Sequence, residues 1–414
     1  MTNETSGPAP LDDITVVEID SWMAAPSAGA ILADMGANVL KVEPLRGDPL
    51  RGISRRPKVP DDDPRRTFDT AFSVDNRGKR SISVDLETPE GAALVHRLCS
   101  TADVFLCNLL SRRQTKFGLD PESLLKVNPA IVHATLTGYG TVGPEAWRPG
   151  YDVTAFFGRS GIYDTMREGP EGEPPMARTA QGDHTAGLAL VGAILGALRL
   201  AERTGTGQVV ETSLYESAVW TMASDICVTA VDEAEFRPRD RKHQISATAN
   251  RFPCGDGKWV VINMPLESAW PRFCEALGLD ELVTDERFID MKARFRAMPE
   301  LIELLDETFR TRTRDEWGVV FDEHKIVWGP VLGLHEVVAD PQAEALGMFP
   351  TVTDPEIGEY RTVAMPLKFK SAPVGPKGPM PRRGEHTREI LAEAGYGAEE
   401  IDALLAAGCV NAGD

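Results

Sequence analysis

The chain has no Cys-x-x-Cys pair and no His-Glu-x-x-His or comparable ligand spacing, although it carries six cysteines and seven histidines. Cysteines scattered at positions 99, 107, 227, 254, 274 and 409 exclude a zinc ribbon and a dense disulfide framework, and they fit a reducing cytoplasm. No resident metal is expected. A Gly-x-x-x-x-Gly-Lys-Ser/Thr phosphate loop and a Gly-x-Ser-x-Gly nucleophile elbow are missing as well. No apolar run reaches the ~20 residues that cross a membrane. Residues 1–10 are polar, with neither a basic start nor an apolar core, so they read as a frayed tail rather than a signal peptide. Positive charge is scarce: 44 Lys and Arg against 63 Asp and Glu leave a net −19. That sign opposes long-range attraction to nucleic acid or an anionic membrane surface.

What is present is ordinary globular material, 42% hydrophobic and 26% charged over 414 residues, enough for two domains with cores. Short β-rich runs at 14–19, 38–43, 81–86, 104–107 and 131–136 alternate with helical stretches that begin near Ala25-Pro26, Thr88-Pro89 and Asp120-Pro121. Strands alternating with helices at this spacing predict an α/β doubly wound sheet. Residues 211–223 read as a helix. A hairpin with its turn at Asp256-Gly257 and helices near 270–277, 301–310 and 314 predict a smaller α+β domain over 226–330, flanked by 1–225 and 331–414. Residues 330–370 read as strand and turn, the Pro-rich 371–381 as an extended linker, and 386–394 and 399–406 as helices.

Gly138-Tyr-Gly-Thr-Val-Gly143 satisfies the dinucleotide-binding pattern after a strand, but Pro144 and Pro149 stop the helix that would hold a pyrophosphate. A second stretch is more informative. Asp183 stands where a helix N-cap belongs, ahead of an apolar run from Leu188 to Leu198 that reads as a buried core helix. Gly192 and Gly196 would leave a bare ridge on it. A carboxylate at a helix start is expected to stay ionised, either as a simple cap or as a group aimed at a ligand. Between Lys41 and Arg80, eleven Lys and Arg face seven Asp and Glu, a local excess of four positive charges. This basic island is either a solvated loop with its own counter-charges or a phosphate-binding surface.

Four stretches together resemble the class III coenzyme A transferase family, which includes formyl-CoA and carnitine CoA-transferases and, as a divergent branch, alpha-methylacyl-CoA racemase. They are Gly36-Ala-Asn-Val-Leu-Lys-Val-Glu43; Asn76-Arg-Gly-Lys-Arg-Ser-Ile-Ser-Val-Asp-Leu86; Gly182-Asp183 with its apolar helix and Thr204-Gly-Thr-Gly-Gln208; and Gly384-Glu-His-Thr387. The resemblance implies a large Rossmann-like domain built from both chain ends, a small inserted domain, and a homodimer of interlocked rings. It matches Asp183 to a catalytic aspartate that attacks an acyl-CoA thioester. It also places Lys41, Asn76, Arg77, Lys79, Arg80, Asn108, Lys116, Tyr139, Gly150 and Tyr151 at positions that contact coenzyme A, with Lys116 standing where relatives carry arginine. Coenzyme A is then a substrate and no cofactor is needed; the partners are an acyl-CoA and a carboxylic acid.

Departures from the family pattern sharpen the expectation. Racemases carry histidine in a Gly-His-Asp stretch, whereas this chain has Gly150-Tyr151-Asp152. A tyrosine of pKa ~10 is a poor proton shuttle near neutral pH, which favours transfer over racemisation. Met23 replaces a glutamine found in formyl-CoA transferase, and residues 244–251 lack that enzyme's glycine-rich shielding loop. The competing readings are an isomerising enzyme of the same fold and a catalytically idle CoA-binding protein.

Overall fold

The computed structural model describes residues 7–53 and 56–413; residues 1–6 of the expected tail lie outside the described residues. Short runs rich in Val, Ile and Leu form β1 (Thr15–Ile19), β2 (Asn38–Glu43), β3 (Arg80–Val84), β4 (Val104–Cys107), β5 (Val132–Thr137) and β6 (Gln208–Ser213). They are parallel and lie in the order β3-β2-β1-β4-β5-β6. Such near-continuous apolar strands belong in a sheet covered on both faces. The order reverses between β1 and β4, so the loops leaving those two strands diverge and open a crevice at their C-terminal ends.

The chain divides into two compact units, one of residues 1–162, 176–232 and 344–414, the other of 163–175 and 233–343. The division falls after residues 232 and 343, against the sequence boundaries of 225 and 330, and the short segment 163–175 joins the second unit. That unit holds β7 (Ala249–Pro253), β8 (Trp259–Asn263) and β9 (Trp328–Val331) in one antiparallel sheet. Its core is aromatic: Phe252 stacks on Phe309 with ring centroids 4.4 Å apart, and Trp317 stacks on Phe321. Back in the first unit, β10 (Thr351–Asp354) and β11 (Gly358–Arg361) form a hairpin, and β12 (Val410–Asn411) pairs antiparallel with β3.

Some local readings need correction. Residues 208–213 form β6, and the helix follows only at Leu214–Thr221. Within 330–370 the helices Leu334–Val338 and Pro341–Ala345 were not anticipated. The 371–381 stretch is irregular but tied down, since Gly375 N–H donates to the Asp34 carbonyl and the Pro379 carbonyl accepts from Gly78 N–H.

Two helices set the site. Ala24–Asp34, made mostly of small residues, is buried along its whole length. The helix Gln181–Thr204 lies against it, and contact is close because Gly187 has no side chain: a Cβ there would sit 2.0 Å from Ser27 Oγ. This long helix is only half a core helix. Ala186, Leu190, Val191, Ile194 and Ala197 are buried, but Leu188, Gly192, Gly196 and Leu200 line up on an exposed face, so the glycine ridge meets nothing among the described residues. By length and composition alone the helix could cross a membrane, yet its other face packs inside the α/β unit.

Below the crevice lies a charge cluster with no solvent access. Lys41 Nζ is 2.9 Å from Asp20, 3.2 Å from Asp48 and 3.5 Å from Glu18; Lys79 Nζ is 2.7 Å from Glu18. Arg77 is likewise buried and forks onto Asp34. Each position is spent on a neighbouring strand or helix. Removing one member of a buried pair leaves a charge without compensation, which costs ~3–5 kcal/mol. Lys79→Ala should therefore lose on the order of 3–5 kcal/mol in urea-unfolding experiments; a loss under about 1 kcal/mol would show that the cluster is solvated.

Candidate active site

The crevice is a cavity of about 680 Å³ formed entirely within the first unit. Its walls come from the turn after β1 (Ser21, Trp22, Met23, Ala24), the end of β4 (Asn108, Leu110), the end of β5 (Leu136, Thr137, Gly138) and the segment Pro149 to Val153. Leu50, Ile53, Thr70 and Ala71 close one side, and Thr179, Ala180 and Asp183 bring in the start of the long helix. Asn108 locks two of these segments together, donating from Nδ2 to the Ser21 carbonyl at 2.7 Å and accepting from Ser21 N–H. Trp22 adopts a left-handed backbone with φ 68°, unusual for a bulky residue, and its ring meets Tyr151 edge-on at 5.6 Å. Asp48 sustains that turn by accepting from Trp22 N–H and Leu50 N–H.

Asp183 is not the cap. The helix starts at Gln181, its N-cap Ala180 has φ 80°, and Asp183 lies in the first turn. Cap-like bonding falls to Asp152 instead, whose buried carboxylate accepts from Val153 N–H and, at 2.7 Å, from Ala180 N–H. Asp183 has no hydrogen-bond or ion-pair partner among the described residues. Nor does it behave as the ionised group the helix dipole implied. Burial, then the negative charge of Asp152, push its pKa up to about 7, with His184 opposing and Asp75 adding to the rise. Desolvation and like charge both favour the protonated form here. Burial also raises Asp152, against the backbone N–H groups that favour its charge.

His184, exposed on one side, contacts Asp75 with Nε2 3.0 Å from Oδ1. Burial pulls its pKa down, but the bond to Asp75 and the charges of Asp75 and Asp183 win and raise it. Among the described residues no group of three or more His, Cys, Asp or Glu gathers as a metal-binding set.

A model of CoA-transferase family III matches residues 11–387. The chain belongs to that family. The cinnamoyl-CoA:phenyllactate CoA-transferase of Clostridium sporogenes is 33% identical over 94% of this chain and 95% of its own. The succinate–glutarate CoA-transferase of Agrobacterium fabrum is 33% identical over 95% of this chain and 98% of its own. Among solved structures, a CAIB/BAIF family protein from Brucella suis superposes with TM-score 0.82 at 32% identity, covering 94% of this chain and all of that one.

Within this CoA-transferase the sequence-derived site residues separate into two groups. Asp183, Asn108, Gly150 and Tyr151 line the cavity, and half-buried Tyr139 follows Gly138 at its wall. Gly138 and Gly150 touch backbone to backbone, where a Cβ on Gly138 would fall 2.7 Å from the Gly150 Cα. Lys41, Asn76, Arg77 and Lys79 are buried, and their polar groups are taken up inside the fold. None of these four lines the cavity. Arg80 pairs with Glu389 and Glu393, and exposed Lys116 pairs with Glu87. Other cations of the island also have counter-charges: Arg51 forks onto Glu43, and Arg65 onto Asp63. Sequence reasoning missed Trp22, Asp75 and Asp152 as parts of the site. A single Trp in a turn or a single Asp in a short helix carries no spacing signal; only the Asp next to Tyr151 lay in a stretch already under scrutiny.

The raised pKa has a sign that stability can test. An Asp183 pKa above its unfolded value means stability is fully present below about pH 4 and is lost as pH rises through about 7. Asp183→Asn lacks that penalty, so its melting temperature should exceed the wild type's at pH 8, with the gain disappearing at pH 4. A cap would give the opposite sign, a loss of ~1 kcal/mol.

Proposed function

We propose that this CoA-transferase moves coenzyme A from an acyl-CoA donor to a free carboxylic acid through a covalent intermediate on Asp183. The supporting observation is the division of labour between two neighbouring carboxylates. Asp152 is tied to backbone N–H groups, while Asp183 faces the cavity with no partner, so its lone pairs are free for attack. A desolvated carboxylate is also more nucleophilic than a hydrated one once it ionises.

In the first step an Asp183 oxygen bonds to the acyl carbonyl carbon, the C–S bond breaks, and CoA thiolate leaves a mixed anhydride. The thiolate then attacks the aspartyl carbonyl and expels the donor acid, forming an aspartyl-CoA thioester. The acceptor carboxylate attacks that carbonyl, giving a second anhydride and thiolate. Attack of the thiolate on the acceptor's acyl carbon releases the new acyl-CoA and frees Asp183. Backbone N–H groups at the start of the long helix can stabilise the oxyanions.

In this reading Asn108, Tyr139, Gly150 and Tyr151 hold the pantetheine arm. Arg80 and Lys116, the two expected cations that reach solvent, are placed to exchange their carboxylate partners for some of the roughly four negative charges of the coenzyme A phosphates. The exposed Leu188–Gly192–Gly196–Leu200 face, with Trp220 and Val231 nearby in sequence and more than three-quarters exposed, suits burial in a homodimer. A cytoplasmic location accords with the buried free thiols. The relatives named above act on an aromatic hydroxy acid and on dicarboxylic acids, so membership alone leaves the acyl group open. His184, a raised-pKa imidazole beside Asp183, gives α-proton exchange its one specific support as a second reading.

Asp183→Ala should abolish transfer while leaving the fold and CoA binding in place. Hydroxylamine added during turnover should leave a hydroxamate on the peptide containing Asp183, only with acyl-CoA present and not in Asp183→Asn. Repeated recovery of an unmodified peptide from an enzyme that transfers CoA would rule out the covalent route, and deuterium uptake without transfer would favour proton exchange. Because only ionised Asp183 attacks, kcat/KM should climb about tenfold per pH unit below about 7 and level off above it.

A further inference from the structure

We infer that the acyl group handled at this site is uncharged and apolar, the side chain of a branched or aromatic monocarboxylic acid, and that dicarboxylic acyl groups are rejected. This rests on the proposal that Asp183 is the attacking group. The cavity's two long walls differ in chemistry. One, at the ends of β4 and β5, sets the Asn108 amide, the Thr137 hydroxyl and backbone at Gly138 beside Leu110 and Leu136, a mixed surface that suits the amides and methylenes of a pantetheine arm. The other is built from Trp22, Met23, Leu50, Ile53 and Ala71, with Thr70 its one polar side chain. Thr70 and Ala71 open the helix Thr70–Asn76, whose Asp75 bonds to His184 next to Asp183. With the thioester carbonyl at Asp183, the pantetheine takes the mixed wall and the acyl chain lies along the apolar one.

Charge decides against a second carboxylate. Among the described residues lining the cavity there is no Lys, Arg or His, whereas Asp152 and Asp183 both bring negative charge. Four cations in the same part of the chain are engaged elsewhere: Arg51 with Glu43, Arg77 with Asp34, and Lys41 and Lys79 inside the buried cluster. A terminal carboxylate on the acyl group would lose water against Leu50 and Met23 and gain only repulsion. Trp22 supplies the recognition instead. Its ring lines the cavity in edge-on contact with Tyr151, and its backbone is held in place by Asp48.

The test measures transfer from 4-methylpentanoyl-CoA, 3-phenylpropanoyl-CoA, succinyl-CoA and glutaryl-CoA, using the matching free acids as acceptors. The two apolar donors should exceed the two dicarboxylic ones by ~100-fold or more in kcat/KM. Equal or better use of succinyl-CoA or glutaryl-CoA overturns the inference while leaving the transfer mechanism standing. Binding to Asp183→Asn, followed by calorimetry, reads the acyl preference without turnover. There 4-methylpentanoyl-CoA should bind at least ~10-fold tighter than succinyl-CoA; a smaller gap also overturns the inference. If that gap is found and no thioester is ever turned over by the wild type, the transfer mechanism fails and the acyl assignment survives. Ile53→Arg places a cation at an exposed point of the apolar wall, and should raise succinyl-CoA kcat/KM by ~3-fold. An unchanged value would show that the acyl end does not lie along that wall.

Discussion

Three carboxylates and two ammonium groups meet out of reach of water where β1, β2 and the loop after β2 converge. With all five ionised, one negative charge is unmatched, and Glu18 is where the strain falls: burial, then Asp20, raise its pKa to about 7 despite both lysines. Lys41 responds the other way. Burial would lower it, but Asp20, Glu18 and Asp48 hold it well above its ordinary value. A buried ionic network of this kind is poor at adding stability and good at fixing one arrangement of the groups that join it. Here it fixes the crevice. Asp48 belongs to the network through one oxygen and carries the Trp22 and Leu50 N–H groups on the other. The apolar side of the cavity is therefore suspended from a polar anchor beneath it.

The same logic of unequal solvation separates Asp152 from Asp183. Both are first-unit carboxylates at the cavity, yet one accepts backbone hydrogen bonds and the other accepts none. In the proposed mechanism the unsatisfied one is the reactive one. Its raised pKa would then be the thermodynamic cost of keeping a nucleophile unpaired, the usual conflict between stability and activity at a working site.

Much of this was legible in the residues, and the failures have physical causes. The parallel strands β1 to β5 were readable because buried strands are short apolar runs punctuated by Pro and Gly. β6 was not, because Gln208–Ser213 alternates exposed and half-buried positions and flows directly into a helix. Asp183 was found by its place before an apolar helix, but its ionisation was misjudged, since the carboxylate that opposes it comes from residue 152 and the wall that dries it from residues far apart in the chain. The partners of the basic island were hidden for a related reason. Arg77 and Asp34 are 43 positions apart and Lys79 and Glu18 are 61 apart, so local charge counting saw the cations and not their partners.

The last strand of the sheet is supplied by Val410 and Asn411, which cover the open edge of β3, and an earlier helix of the same C-terminal stretch, Thr387–Glu393, anchors to β3 through Thr387. During synthesis the first unit therefore cannot be finished until nearly the whole chain has left the ribosome, although its opening strands emerge first. Residues 233–343, by contrast, are a contiguous block and can collapse around their aromatic core while β3 still waits for its neighbour. At translation speeds of ~5–20 residues per second, that exposed edge persists for many seconds. The period of greatest exposure to mispairing thus belongs to the nascent chain, and it ends when the C-terminal residues dock.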